Sequence, residues 1–283
     1  MEISPDLEAH LAALIGSSAA DATLVETGQN NRVLDFGDRI VRIPRHAGAE
    51  TMLRREASLL GRLAPLLPLA VPHVRVLDSE IGPIAVHDRL PGEPFYSLHS
   101  FADGEPVVEE LAGFLCSLHG LDTAIVADGQ REESWREIAD RLPSDILPRL
   151  SPSIRPAVAA AFQRFAEQAD ALPLRVIHGD FGTGNLLAAH GRVTGVIDFA
   201  GCGLGDPAYD IASLVAGLGD GLLPRLHPYY PDLAAMAERI GFYRATFPLL
   251  DMLFGLDHDD PAGLADGIAG AERRFASLAL GPA

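Results

Sequence analysis

The sequence predicts an α+β fold in two lobes, a small one built on a five-stranded antiparallel sheet with a helix and a larger, mainly helical one. Short runs rich in β-branched residues, separated by glycine and asparagine, crowd the chain before Leu90, whereas helical spacing dominates after Pro94. The 283 residues, 48% of them hydrophobic, are enough for a substantial core. Pro91-Gly92-Glu93-Pro94 puts rigid and permissive residues side by side, as a hinge needs, so the lobes are drawn as 1–92 and 93–283.

Taken in order, Leu7, Leu11, Leu14 and Ile15 recur at helical spacing behind Ser4 and Pro5, which predicts a packing helix over Ser4 to Ile15. Thr23 to Glu26, Arg32 to Phe36 and Arg39 to Ile43 read as a meander of three strands, turned at Gly28-Gln29-Asn30-Asn31 and at Gly37-Asp38. Ala49 to Leu63 follows as a helix with Leu53, Leu59, Leu60 and Leu63 on its apolar face. Pro65 and Pro68 break it, and Val74 to Leu77 and Ile84 to Leu90 supply the last two strands of the sheet. Beyond the hinge, helices are expected over Val107 to His119, Glu132 to Arg141, Ile154 to Ala169, Ile211 to Leu218, Leu233 to Ile240, Tyr243 to Phe254 and Pro261 to Leu278. Val107 to His119 is assigned to the interior of the larger lobe with His119 as a packing residue, and Trp135 to a lobe surface or substrate wall.

Composition narrows the function. Thirty-nine acidic against 22 basic residues give a formal charge of −17, which argues against a nucleic-acid surface and favours cationic small ligands, although solubility alone accounts for such a charge equally well. Every one of the basic residues other than histidine is arginine. Cys116 and Cys202 lie far apart, in no metal-binding or redox spacing, and read as free thiols. No basic segment leads into an apolar core at the N-terminus and no apolar run nears the roughly 18 residues of a membrane span, so a cytoplasmic monomer without membrane contact is the expectation.

The most informative stretch runs from Val176 to Asp210. A short apolar strand ends at His178, glycines 179, 182 and 184 make a tight loop, and that loop presents Asp180 and Asn185. A break at His190-Gly191-Arg192 leads into Val193 to Ile197, which delivers Asp198 at its far end. Three oxygen-bearing side chains can thus converge. Phosphoryl transfer asks for one carboxylate to accept a hydroxyl proton, and an Asn with a second carboxylate to hold magnesium on nucleotide phosphates. Each residue alone would be an ordinary loop or cap residue; together they point to that chemistry.

His178-Gly179-Asp180 with Asn185, Ile197-Asp198-Phe199, and Gly205-Asp206-Pro207 with Asp210 resemble the aminoglycoside phosphotransferase family, over nearly the whole chain. The resemblance implies a protein-kinase-like fold, Asp180 as catalytic base, Asn185 and Asp198 as Mg2+ ligands, and ATP or GTP as co-substrate. Asp206 is read as capping a helix begun by Pro207, and Asp210 as supporting the catalytic loop. The resemblance also supplies a nucleotide set in the first lobe. Gly28, Asn30 and Asn31 stand where such folds bring backbone N–H groups to phosphates. Arg42 takes the strand position of the usual lysine and pairs with Glu56, while a strand-to-helix ion pair would explain the two without any nucleotide. Asp88 and Leu90 lie on the approach to the hinge, where a surface salt link explains His87 and Asp88 as well as a ligand does.

The acceptor is expected to be a small cationic molecule with a hydroxyl, an aminoglycoside first. Its ammonium groups would need carboxylates such as Asp220 and Asp257, which follow predicted helix ends. Arg42-Ile43-Pro44-Arg45 and Ala70-Val71-Pro72 also resemble the macrolide phosphotransferase branch, and kinases for homoserine, choline or a sugar share the chemistry. A pseudokinase without turnover is the reading from another class, motivated by Arg42 and opposed by the presence of Asp180, Asn185 and Asp198.

Overall fold

The computed structural model describes residues 16, 18, 21–25, 30–79, 82–97, 104–126, 130, 131 and 133–279. The predicted helix at Ser4 to Ile15 and the loop residue Gly28 lie outside them. Contacts divide the chain into two compact units, one made of residues 1–118, 124–127 and 183–202, the other of 119–123, 128–182 and 203–283.

In the first unit, strands β1 (Thr23–Val25), β2 (Asn31–Asp35), β3 (Arg39–Pro44), β4 (Arg75–Ser79) and β5 (Gly82–Asp88) form a sheet in the order β1-β2-β3-β5-β4, every pair antiparallel. This is the five-stranded sheet expected, with strand ends shifted by a residue or two. Leu34, Val41, Ile43, Ile84 and Val86 form its apolar cluster. Because side chains alternate along a strand, burying Val41 and Ile43 turns Arg42 to the other face. Helix α1 (Ala47–Leu63) packs on the sheet through Leu53, Leu59, Leu60 and Leu63. Its N-terminus is capped by His46, whose Nδ1 accepts from the Ala49 N–H at 3.1 Å.

Strand β6 (Glu93–Pro94) pairs with β9 (Leu186–Ala189), which forms a hairpin with β10 (Arg192–Val196). Gly92 has φ +108°, and a Cβ there would sit 2.8 Å from the Ala188 carbonyl oxygen, so the backbone at Gly92 approaches the hairpin more closely than any larger residue allows. Helix α2 (Glu105–His119) groups with this unit as far as Leu118 rather than with the later helices. One cause is Glu110, which accepts from the Val193 N–H at 2.8 Å and pairs with Arg192. The hairpin, and α2 as far as Leu118, are thus tied to the first unit.

The second unit holds helices α3 (Ser134–Arg141), α4 (Arg155–Gln168), α5 (Pro207–Leu218), α6 (Leu222–Leu226), α7 (Leu233–Asp257) and α8 (Pro261–Ala279). A small sheet of β7 (Gln130–Arg131), β11 (Gly203–Gly205) and β8 (Arg175–Ile177) accompanies them. The sequence pattern splits α7 in two at Gly241, yet it is one helix, which also carries Pro248 inside it as the second predicted helix did. Packing overrides the break at Gly241: Phe242 stacks on Phe165 of α4 with ring centres 3.9 Å apart, and Tyr243 meets Tyr209 of α5 edge-on at 5.2 Å. Trp135 belongs to the same aromatic cluster, 7% exposed and edge-on to Phe165, rather than to a surface or substrate wall. Where α7 and α8 cross, a Cβ on Gly267 would lie 2.7 Å from the Met252 nitrogen and 2.8 Å from the Pro248 carbonyl oxygen.

Candidate active site

The first unit encloses a cavity of about 590 Å³. Val33, Ile40, Leu90, Leu187 and Ile197 give it apolar walls, and Arg42, Glu56, His87, Asn185 and Asp198 also line it. Backbone pairing assembles this set: the sheet supplies Arg42 and His87, α1 supplies Glu56, and Asn185 and Asp198 sit at the open ends of the β9–β10 hairpin. Ile197 N–H donates to the Asn185 carbonyl at 2.9 Å, which fixes the two ends side by side.

Arg42 Nη1 donates to Glu56 Oε2 at 2.8 Å, with the side chains only 13% and 4% exposed. The other Glu56 oxygen accepts from the Phe199 N–H at 3.3 Å, so the helix, the third strand and the segment carrying Asp198 share one carboxylate. Burial pushes the Glu56 carboxyl up from its ordinary value, Arg42 pulls it down, and the charge of Asp198 pushes it up again. Arg42 keeps two buried nitrogens, Nε and Nη2, with no acceptor among the described residues. Buried guanidinium donors rarely go unmatched, so this pair suits an anion entering the cavity.

His87 lines the cavity at 9% exposure and is not part of a surface salt link. Its Nδ1 lies 2.9 Å from the Asp88 carbonyl oxygen, the geometry of a donated N–H. Burial depresses its pKa, and nearby Arg42 acts in the same direction. Asp88, one residue on, turns to the other face of the strand; Leu90 is a lining residue and Asp88 is not. Asn30 and Asn31 also lie outside the lining set, although Asn31 Oδ1 is buried without a partner among the described residues. Asp198 has φ +64°, in the left-handed region that Asp tolerates better than most residues, and its Oδ1 accepts from the Ala200 N–H at 3.4 Å.

Asp180 belongs to the second unit. It follows Gly179, whose φ of +82° makes the sharp turn after β8, and it is exposed. The turn hangs on Asp210, in the first turn of α5 and fully buried. Asp210 Oδ2 accepts from the His178 N–H at 2.7 Å and Oδ1 from the Gly179 N–H at 2.9 Å. Burial alone would raise the Asp210 carboxyl; the His119 hydrogen bond and charge, with His178, hold it below the ordinary value. Asp206 caps α5 by accepting from the Ala208 N–H at 3.1 Å, and Arg239 Nε binds its other oxygen at 2.7 Å.

The residue model of a phosphotransferase enzyme family matches residues 21–242 of the chain. The chain belongs to this family. Over 281 residues, which cover 92% of this chain and 96% of the relative, the phosphotransferase is 29% identical to viomycin phosphotransferase from Streptomyces vinaceus. The GDP complex of aminoglycoside 2'-phosphotransferase-IIIa superposes on it with a TM-score of 0.83 at 18% identity, covering 96% of this chain and 99% of that one. A macrolide 2'-phosphotransferase from Brachybacterium faecium gives a TM-score of 0.68 at 23% identity, over 93% of this chain and 96% of that one. These likenesses establish the protein-kinase-like fold, and the chain is a phosphotransferase.

Of the carboxylates expected to meet an acceptor, Asp220 is paired with Arg244, and Asp257 takes two hydrogen bonds from Arg141, at 2.7 and 2.8 Å. Each arginine holds its carboxyl below the ordinary range. No group of three or more His, Cys, Asp or Glu side chains forms a metal-binding cluster among the described residues. A magnesium ion needs no such cluster. It takes few protein oxygens and fills its shell with phosphate and water, and Asn185 with Asp198 offers hard oxygens on one cavity wall. No helix among the described residues is long and apolar enough to cross a membrane.

Proposed function

We propose that this phosphotransferase moves the γ-phosphoryl of ATP or GTP to a hydroxyl of a small cationic antibiotic, an aminoglycoside or a viomycin-like compound. The observation that carries the nucleotide half is Arg42, with two buried donors unmatched on the wall of a cavity that also offers Asn185 and Asp198. In this reading the apolar walls hold the base, and Nε and Nη2 of Arg42 bind phosphate oxygens while Glu56 keeps the guanidinium in place. Asn185 and Asp198 would hold the magnesium, which neutralises phosphate charge when bound. Asp180 accepts the hydroxyl proton as the acceptor oxygen bonds to the γ-phosphorus and the bond from that phosphorus to the bridging oxygen breaks, leaving the nucleoside diphosphate.

The acceptor half rests on the −17 charge of the chain, which attracts a polycation at long range, and on the similarity to viomycin phosphotransferase across almost the full length of both chains. Macrolides are the second reading, supported by the likeness to the macrolide 2'-phosphotransferase. The test is a phosphorylation screen over aminoglycosides, viomycin, macrolides, homoserine, choline and sugars with ATP and with GTP. Turnover confined to the metabolites would overturn the antibiotic assignment, and no turnover with any acceptor would favour a nucleotide-binding role.

A further inference from the structure

The loop that carries Asp180 is held by a chain of buried polar groups that extends well past Asp210. His119, the last residue of α2, places Nε2 3.0 Å from Asp210 Oδ2 and Nδ1 2.7 Å from the hydroxyl of Tyr230. Tyr230 lies in the connector between α6 and α7, 5% exposed, with its ring edge-on to the imidazole at 5.8 Å. His119 is likewise 5% exposed. The connector is itself anchored, since the Tyr230 N–H donates to the Leu226 carbonyl at 2.9 Å.

We propose that Tyr230 is a positioning residue for phosphoryl transfer, acting through His119 and Asp210 on the turn that presents Asp180; this rests on the reading of Asp180 as the base. The argument is one of donors and acceptors. Asp210 accepts from the His178 N–H, the Gly179 N–H and the His119 ring. For the ring to serve as the third donor, Nε2 must carry hydrogen and point at the carboxylate, which leaves Nδ1 buried and in need of a partner. The Tyr230 hydroxyl is that partner. Without it Nδ1 is stranded, and the ring gains by rotating toward water or toward another group. Asp210 would then lose a donor on Oδ2, the oxygen that also holds the His178 N–H. A shift of a few tenths of an ångström there moves Asp180 relative to the hydroxyl it must deprotonate, and transition-state geometry is more sensitive to this than substrate binding. Tyr230 itself needs no contact with any substrate.

Tyr230→Phe tests this cleanly because it keeps the ring and its edge-on packing and removes only the hydroxyl. The expected result, assayed well below the melting temperature, is a fall in kcat of roughly 5- to 20-fold with both KM values within about twofold of wild type. His119→Gln is the companion. Its amide donates toward Asp210 and accepts from Tyr230 in one covalently fixed arrangement, so it should retain most of kcat, whereas His119→Leu should not. In the His119→Gln background Tyr230→Phe should lower kcat less than it does in wild type. An unchanged kcat in Tyr230→Phe, whatever happens to its melting temperature, would overturn the proposal and leave the hydroxyl a packing feature. Equal losses in the two backgrounds would overturn it as well. Asp180→Asn, run alongside, separates the two levels: if it keeps full kcat, the base assignment fails first, and if it abolishes turnover while Tyr230→Phe does not affect it, only the positioning role falls.

Discussion

Replacing Arg42 by alanine changes binding and stability through separate parts of one side chain, and their sizes follow from its partners. Nε and Nη2 have no acceptor among the described residues, and Arg42 lines the cavity. If phosphate oxygens take both, the variant loses two charge-assisted hydrogen bonds of about 1.5–3 kcal/mol each, which raises the nucleotide KM roughly 100-fold or more. Nη1 serves stability. Its loss strands the Glu56 carboxylate, which is 4% exposed, and breaking a buried pair in this way costs about 3–5 kcal/mol. Part of that loss is recoverable by protonation, because burial already raises the Glu56 carboxyl. A carboxyl whose folded pKa is raised favours the folded state less as pH climbs above the unfolded value near 4.3, so Arg42→Ala should be more nearly native in stability at about pH 5 than at about pH 8. Steady-state KM for ATP and GTP, with urea melts at both pH values, measures the two effects separately. Arg42→Lys sharpens the result: a compact ammonium can still meet phosphate, so partial activity is expected, whereas a side chain needed only for its planar link to Glu56 would give an unstable protein with an ordinary KM. An unchanged nucleotide KM in Arg42→Ala would refute the reasoning, since the unmatched donors would then have no ligand.

Three further outcomes can be checked. Asp180→Asn should lower kcat by about 100- to 10,000-fold and leave nucleotide affinity, measured by calorimetry, nearly intact; near-normal turnover would remove the base assignment. Asp198→Ala should need more magnesium and lose more activity than Asn185→Ala, because only Asp198 brings charge to the metal; magnesium titrations that coincide with wild type for both would place the ligands elsewhere. His87 has a depressed pKa through burial, so the unfolded chain binds its proton first, and stability should fall as pH drops below about 6.5 until the folded-state value is passed. His87→Gln should flatten that part of the stability profile, and an unchanged slope would mean that another group titrates there.

The sheet and the Val176 to Asp210 stretch were legible because their signals are local. Alternating β-branched residues mark strands, and Gly179, Asp180, Asn185 and Asp198 fall within one loop and one hairpin. The cap at Asp206 and the Arg42–Glu56 pair were readable for the same reason, the second with help from family register. What could not be read was set by packing at a distance. Gly241 carries the local signature of a break, and nothing near it in sequence announces that Phe165 and Tyr209 hold α7 together. His87 and Asp88 differ by one step of strand alternation, which puts the buried residue rather than the charged one on the cavity face. His119, Asp210 and Tyr230 come from three segments up to 111 residues apart, so only the folded chain reveals that they form one network.

The backbone at Asp198 sets durability against turnover. A left-handed conformation is borne by a residue with a Cβ at a penalty of about 1 kcal/mol, which glycine would not incur. Asp198→Gly would therefore relax the chain and, if Asp198 holds the magnesium as proposed, remove the carboxylate that does so. A library of variants sorted only for heat resistance would drift toward losing that side chain, and sorting for turnover in the same round is what would keep it.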